Sequence, residues 1–204
     1  MTVTGITELS KTRCKVEIDQ EFAFVLYKGE LRLYHLGIGQ EIAEADYRMI
    51  TREVLPKRAK LRVMNLLKSR EYTTEQLRQK LRQGFYPETV VEEALAYVAS
   101  FHYIDDFRYA ADYIAGHADV RSRRRIEQDL LNKGISGAVI QQAWLNWESE
   151  GGEQDEMAMI RQLLEKKNYS PEADMKERQR MYGFLMRRGY SHGQICKALG
   201  NIES

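Results

Sequence analysis

Three times along this chain an apolar pattern of helical period runs into a glycine and restarts a few residues later. The glycines are Gly84, Gly134 and Gly189. Three positions before each stands Leu81, Leu131 or Met186, and directly after each stands Phe85, Ile135 or Tyr190. Further on, Val90, Ile140 or Ile195 and then Ala94, Trp144 or Leu199 continue the correspondence. Glycine takes the left-handed backbone conformation that ends a helix at little cost, and the apolar residue after it folds back onto the last turn. The pattern therefore predicts a helix, a left-handed stop at each glycine, and a second helix opening near Pro87, Ser136 or Ser191. With one more helix ahead of each pair, every unit has three. Triplets of this size bury too little surface alone, so tandem units are expected to stack into an elongated, curved array.

Helical periodicity begins near Ala43. Ala59, Val63, Leu66 and Leu67 share a face, as do Val90, Val91, Ala94, Leu95 and Val98, and again Ile140, Ala143, Trp144 and Trp147. Pro87 and Pro171 stand where helices are expected to open, and Pro56 separates a first helix from the basic one after it. Thr73 and Gln76 form a capping-box pattern, with Tyr72 and Leu77 as its hydrophobic staple. The first fifty residues read differently. Cys14, Val16 and Ile18 alternate with polar neighbours, Asp19-Gln20 offers a turn, and Phe22 to Tyr27 is rich in aromatic and β-branched residues. That is a β-hairpin. Leu31 to Leu36 reads as a short helix, and Gly37 to Gly39 as a turn into a third short strand. A lone hairpin is marginal, so this module is expected to pack on the first helical unit. The fold class is mainly α, with a β-rich module at 1–50 and three-helix repeats at 51–102, 103–150 and 151–204.

Charge is nearly balanced overall, at a formal +1, but its distribution is uneven. Residues 51–102 carry ten basic and six acidic side chains, whereas the positive charge of 103–150 is packed into Arg121, Arg123, Arg124 and Arg125. Weak global charge with local clusters argues for a localised anionic contact, not a polycationic coat. The apolar runs Phe22–Leu26 and Ala94–Ala99 are far shorter than the roughly 20 residues of a membrane span, so no membrane contact is expected. No signal stretch opens the chain, and Cys14 and Cys196 stand far apart as free thiols, which points to the cytoplasm.

Several ordinary motifs now stand in one order. Tyr103-Ile-Asp-Asp-Phe-Arg-Tyr-Ala110 is followed by the arginine cluster and then by Ile126 and Leu130-Leu-Asn-Lys-Gly-Ile135. Leu77 to Phe85 repeats the theme earlier, and Phe184-Leu-Met-Arg-Arg-Gly-Tyr190 repeats it more loosely later. Over about residues 57–200 the chain resembles the RecX family, regulators of the bacterial RecA recombinase. The N-terminal β module looks like the extension some members carry. A departure lies at Arg121-Ser122, where the family more often has a small glycine-containing turn; Ser122 preserves the helix start as an N-cap. The resemblance implies a protein without chemistry of its own that binds the RecA–single-stranded-DNA filament. It would inhibit ATP hydrolysis, strand exchange and co-protease activity in DNA repair and the SOS response. The alternative is a helical module that binds single- or double-stranded DNA directly, without RecA.

The arginine run is the sharpest site candidate. Four guanidinium groups at a helix start face the positive end of the dipole and each other, at a cost of about 0.3–1 kcal/mol per charge. That cost suggests an anionic partner, with Glu127 and Asp129 offering local relief. Further RecA- or DNA-contacting candidates are Lys57, Arg58, Lys60 and Arg62 on one helix, and Arg78, Lys80 and Arg82 on the next. Lys133, Arg187 and Arg188 complete the set, although cations near a helix C-terminus are also favourable for the dipole alone. Asp105 and Asp106 read as helix-start carboxylates in preference to a metal or catalytic pair. Trp144 and Trp147 read as core in preference to base-stacking residues. The four histidines lack ligand spacing, no catalytic constellation is visible, and neither metal nor cofactor is expected. Without a heptad or a large exposed apolar patch, a monomer is the expectation.

Overall fold

The computed structural model describes residues 1–200. They form two compact units, divided between Asp105 and Asp106.

The first unit opens with an antiparallel sheet of β1 (Val3–Glu8), β2 (Arg13–Ile18) and β3 (Glu21–Tyr27) in that order. Cys14, Val16 and Ile18 point into the core, and Cys14 and Val16 lie opposite Leu26 and Phe24. Asp19 and Gln20 both have positive φ, 49° and 70°, the two-residue turn whose twist matches its strands. The third strand is β1, not the segment expected after Gly37 to Gly39, where only an isolated bridge joins Thr2 to Glu41. The sequence of β1 hides its nature. Its apolar residues, Val3 and Ile6, break the period of two, because the register shifts between Val3 and Gly5.

After α1 (Lys28–Leu33), helix α2 (Glu44–Met49) runs through a π-helical turn (Ile50–Val54) into α3 (Leu55–Leu67). Pro56 does not separate two helices. Its ring and missing amide are accommodated at the start of α3 by the wider turn, in which the Leu55 amide donates to the Ile50 carbonyl. Helices α4 (Thr74–Arg82) and α5 (Glu88–Ser100) complete the unit. Thr73 and Gln76 exchange the predicted capping-box bonds, and Tyr72 and Leu77 are buried beside them. Phe24 and Leu26 of the sheet share one core with Leu55, Val63, Leu77, Leu81, Val91 and Leu95, so the β module does pack on the first helical unit. Each such side chain contributes about 1.5–3 kcal/mol by leaving water.

The second unit contains two triplets: α6 (Asp106–His117), α7 (Arg123–Asn132) and α8 (Gly137–Ser149), then α9 (Glu156–Lys166), α10 (Met175–Arg187) and α11 (His192–Leu199). Ile114, Ile126, Leu130, Ile140 and Trp144 form the first core. Ile160, Met181, Leu185, Tyr190, Ile195 and Leu199 form the second. Pro171 does not open a helix. It lies in the turn before Asp174, the N-cap of α10, and its carbonyl accepts from Arg178.

The repeat is real, but its register in the first triplet is one residue off the glycine alignment. Gly134 and Gly189 have φ of 84° and 92°, whereas the left-handed residue of the first triplet is Phe85, at 63°, and not Gly84. The amides of Tyr86, Ile135 and Tyr190 then return to the carbonyls of Leu81, Leu130 and Leu185, at 3.3, 3.2 and 3.4 Å. Those three leucines are buried, while Leu131 and Met186 are exposed. Pro87, Ser136 and Ser191 are the equivalent N-caps. Val91 and Leu95 match Ile140 and Trp144, and Ile195 and Leu199 follow in the third. Sequence misleads here because Val90 and Ala94, one position earlier, are just as apolar and as buried as their neighbours.

Candidate functional site

In the first unit most candidate cations already have partners. Arg58 pairs with Glu30, donates to the Val25 carbonyl at 3.2 Å, and lies 4.7 Å over the Tyr27 ring. It ties α3 to α1 and β3, with its side chain only 17% exposed. Lys60 pairs with Glu93 at 2.7 Å. Arg78 bridges Glu75 and Glu92, each at 2.8 Å, and Arg82 holds Glu88 at 2.6 Å. These hydrogen bonds raise the pKa of both arginines and hold the Glu88 and Glu92 carboxyls below the usual carboxylate range. Lys57 and Arg62 are exposed and Lys80 half-buried, none of them in an ion pair among the described residues.

The arginine run of the second unit is held more locally than its sequence suggests. Ser122 caps α7, accepting from the Arg125 amide at 3.3 Å. Arg121 donates to Asp129 at 2.8 Å and to the Tyr113 hydroxyl at 2.9 Å, while Arg125 reaches the other oxygen of Asp129 at 3.2 Å. Arg123 pairs with Glu127 and Glu148 and lies 4.6 Å over the Trp144 ring. The expected electrostatic cost of the run is thus largely relieved inside the protein, by carboxylates four or eight residues on or on the next helix. Arg124 alone of the four is exposed without an ion pair among the described residues. Lys133 lies about 5.5 Å over the rings of Tyr109 and Tyr113. Burial, with Asp129 beside it, pushes the Tyr113 hydroxyl pKa up.

Arg187 and Arg188, at the end of α10, come to the start of α7. Together with Arg121 and Arg125 they line a cleft of about 340 Å³. The chain crosses there because Ser122 Oγ also donates to the Arg188 carbonyl at 2.7 Å. Gly189 permits the approach: a Cβ there would lie 2.6 Å from Ser122 Oγ. In the sequence Arg121 and Arg125 stand at one helix start and Arg187 and Arg188 at the end of another, and no spacing along the chain joins them.

A second set of joining residues was not legible at all. Glu156 accepts from the Arg123 amide at 2.7 Å and from Gln194 at 2.6 Å. Gln154 donates to the carbonyls of Ala118 and Arg121. In sequence these are unremarkable polar residues near a helix start. Trp144 is core, and Trp147 meets it edge to face at 5.5 Å. Asp106 stands in the first turn of α6, where its charge meets the positive end of the dipole. Among the described residues no group of three metal-ligating side chains gathers, and no helix is long and apolar enough to cross a membrane.

Comparison with known proteins matches this architecture piece by piece. Family models for the first, second and third three-helix domains of RecX match residues 59–97, 105–143 and 153–199. A regulatory protein RecX from Caldanaerobacter subterraneus is 29% identical over 98% of both chains. Another, from Vibrio parahaemolyticus, is 34% identical over 67% of this chain and 86% of its own. A crystal structure of regulatory protein RecX superposes with a TM-score of 0.61 at 23% identity, over 97% of this chain and 98% of that one. RecX from Lactobacillus salivarius gives 0.58 at 19%, over 72% and 95%. With all three domains present in order, this chain belongs to the RecX family of regulatory proteins.

Proposed function

We propose that this protein regulates the RecA recombinase by binding the RecA–single-stranded-DNA filament, and that it inhibits ATP hydrolysis, strand exchange and co-protease activity. The observation that carries this reading is the ordered set of three RecX domains in a chain that matches RecX regulators along its length. The protein acts in the cytoplasm as a monomer and performs no chemistry itself. Residues 1–50 serve as the N-terminal module, and 51–102, 103–150 and 151–204 as the repeats. Contacts spread over the repeats bind through many weak interactions, with each engaged contact raising the effective concentration of the next. Arg124, Arg187 and Arg188 are the foremost contacts, because their charges are not consumed by ion pairs among the described residues. Lys57, Arg62 and Lys80 extend the surface into the first repeat.

The test is single-stranded-DNA-dependent ATP hydrolysis by RecA, with this protein titrated from far below to equal stoichiometry at fixed salt. Inhibition below one protein per RecA is expected. Unchanged hydrolysis and filament length at equal stoichiometry would overturn the proposal.

A second reading, direct DNA binding without RecA, is favoured by the four-arginine cleft. It predicts affinity that falls steeply with salt. Replacing Arg123, Arg124 and Arg125 together is a poor discriminator, because Arg123 holds α7 to α8 through Glu148 and Arg125 shares Asp129 with Arg121. The double substitution Arg124→Ala with Arg187→Ala is better. Lost inhibition with DNA affinity unchanged supports the filament reading; the converse supports direct DNA binding.

A further inference from the structure

We propose that the cleft where the second and third repeats meet is a discrete site for a phosphoryl oxyanion, free in solution or carried by a nucleic-acid backbone. This deepens the functional reading above by naming the chemistry of one contact, and it can be tested without RecA.

Arg121 and Arg125 of one repeat and Arg187 and Arg188 of the next line this cavity, and no carboxylate among the described residues does. Asp129, the acid that pairs with Arg121 and Arg125, is mostly buried, and the two arginines divide its oxygens between them. Arg187 has no ion pair among the described residues, and the Arg188 guanidinium lies 4.4 Å over the Phe184 ring. Like charges gathered round one cavity repel, and an anion in their midst reverses the sign of that interaction. Each guanidinium is a planar fork that binds phosphate through two parallel hydrogen bonds. A single carboxylate has two oxygens and occupies one fork, whereas phosphate oxygens can engage several at once.

Size points the same way. About 340 Å³ lies at the lower end of small-ligand sites and exceeds what one acidic side chain fills. Val120, 70% exposed, offers an apolar wall at the rim for a sugar or a base.

The site is built before any ligand arrives. Gly189, at φ 92°, lets the turn after α10 lie against Ser122, and a Cβ there would also come within 3.1 Å of the Arg125 amide. The bond from Ser122 Oγ to the Arg188 carbonyl closes the joint at 2.7 Å. The backbone beneath all four arginines is thereby fixed, so little ordering cost is left for binding. The amides of Arg123 and Arg125 are already taken by Glu156 and Ser122, which leaves recognition to the side chains.

Calorimetric titration of the full chain with sodium pyrophosphate tests this. One ion should bind per chain, and affinity should fall about tenfold or more in Arg187→Ala and in Arg125→Ala, the loss of one charge-assisted contact. Arg187 is exposed and outside the core, so its variant should melt with the native protein; Arg125→Ala checks the opposite wall. A single-stranded oligonucleotide distinguishes the sources. If pyrophosphate displaces it, and Arg187→Ala lowers the slope of log affinity against log salt by about 0.7, the site reads a nucleic-acid backbone. If pyrophosphate binds and the oligonucleotide ignores it, the site takes free phosphate. Absence of saturable binding, or binding indifferent to both arginines, would overturn the proposal. So would displacement of an acidic peptide from these arginines with no response to pyrophosphate. RecA inhibition measured on the same variants keeps the two readings apart: an inert native chain that still binds pyrophosphate refutes the regulatory role and leaves the anion site standing.

Discussion

In the first unit Arg58, Arg78 and Arg82 are spent on holding helices together, each against a glutamate of the same unit. In the second, Arg121 and Arg125 share one aspartate, Arg187 has none, and all three open onto a common cleft with Arg188. The counts along the chain suggest the reverse. Residues 51–102 have the largest excess of basic over acidic side chains, and 103–150 has more acids than bases. Segment charge is therefore a poor guide to where a basic surface lies. What matters is whether a carboxylate on the neighbouring helix reaches the cation, and that is a property of packing.

The largest expected effect tests the structural side of this contrast. Arg58→Ala removes a mostly buried charge partner from Glu30 and a donor from the Val25 carbonyl, and should cost the first unit about 2 kcal/mol. Both tryptophans lie in the second unit, so urea unfolding followed by tryptophan fluorescence should barely move while hydrogen-exchange protection in β3 and α3 falls. Coupled loss in both signals would break the comparison. Gly189→Ala places a Cβ against Ser122 Oγ at positive φ and should cost the second unit about 2 kcal/mol, read by the tryptophan signal. The matching change in the first unit, Phe85→Gly, relieves a left-handed phenylalanine but loses its edge contact with Phe22. Its net effect should stay within about 1 kcal/mol by the same denaturation measured with exchange.

Smaller still is Arg187→Ala, which should leave stability within about 0.5 kcal/mol in thermal unfolding while it weakens anion binding. A stability loss like that of Arg58→Ala would show that Arg187 is structural. The smallest effect is acid dependence. Arg82 and Arg78 hold the Glu88 and Glu92 carboxyls below the usual carboxylate range. Their stabilisation is present above that range and is lost as pH falls through the lowered folded values. Both pairs are exposed, so exchange protection of α4 and α5 should decline only mildly with acid, and Glu92→Gln should flatten that decline.

Much of the fold was legible because it depends on local chemistry. The turn at Asp19-Gln20, the Thr73 capping box and the Ser122, Ser136 and Ser191 caps each follow from a few adjacent residues. Errors arose where a local rule had two solutions. Gly84 is the better left-handed residue by conformational freedom, yet the chain turns at Phe85, because only that register returns the Tyr86 amide to the Leu81 carbonyl and keeps Leu77 and Leu81 in the core. Edge strand β1 was missed because a glycine and a register shift erase its alternation.

By itself the sequence determined that this chain makes a hairpin and tandem helical triplets, and which side chains fill their cores, since period, caps and turn residues act over a few neighbours. Only the tertiary structure decided which arginines are neutralised and which gather. The Ser122–Arg188 bond and the contact of Gly189 with Ser122 join residues 66 and 67 apart in sequence. Electrostatic energy depends on distance in space, which no spacing along the chain supplies.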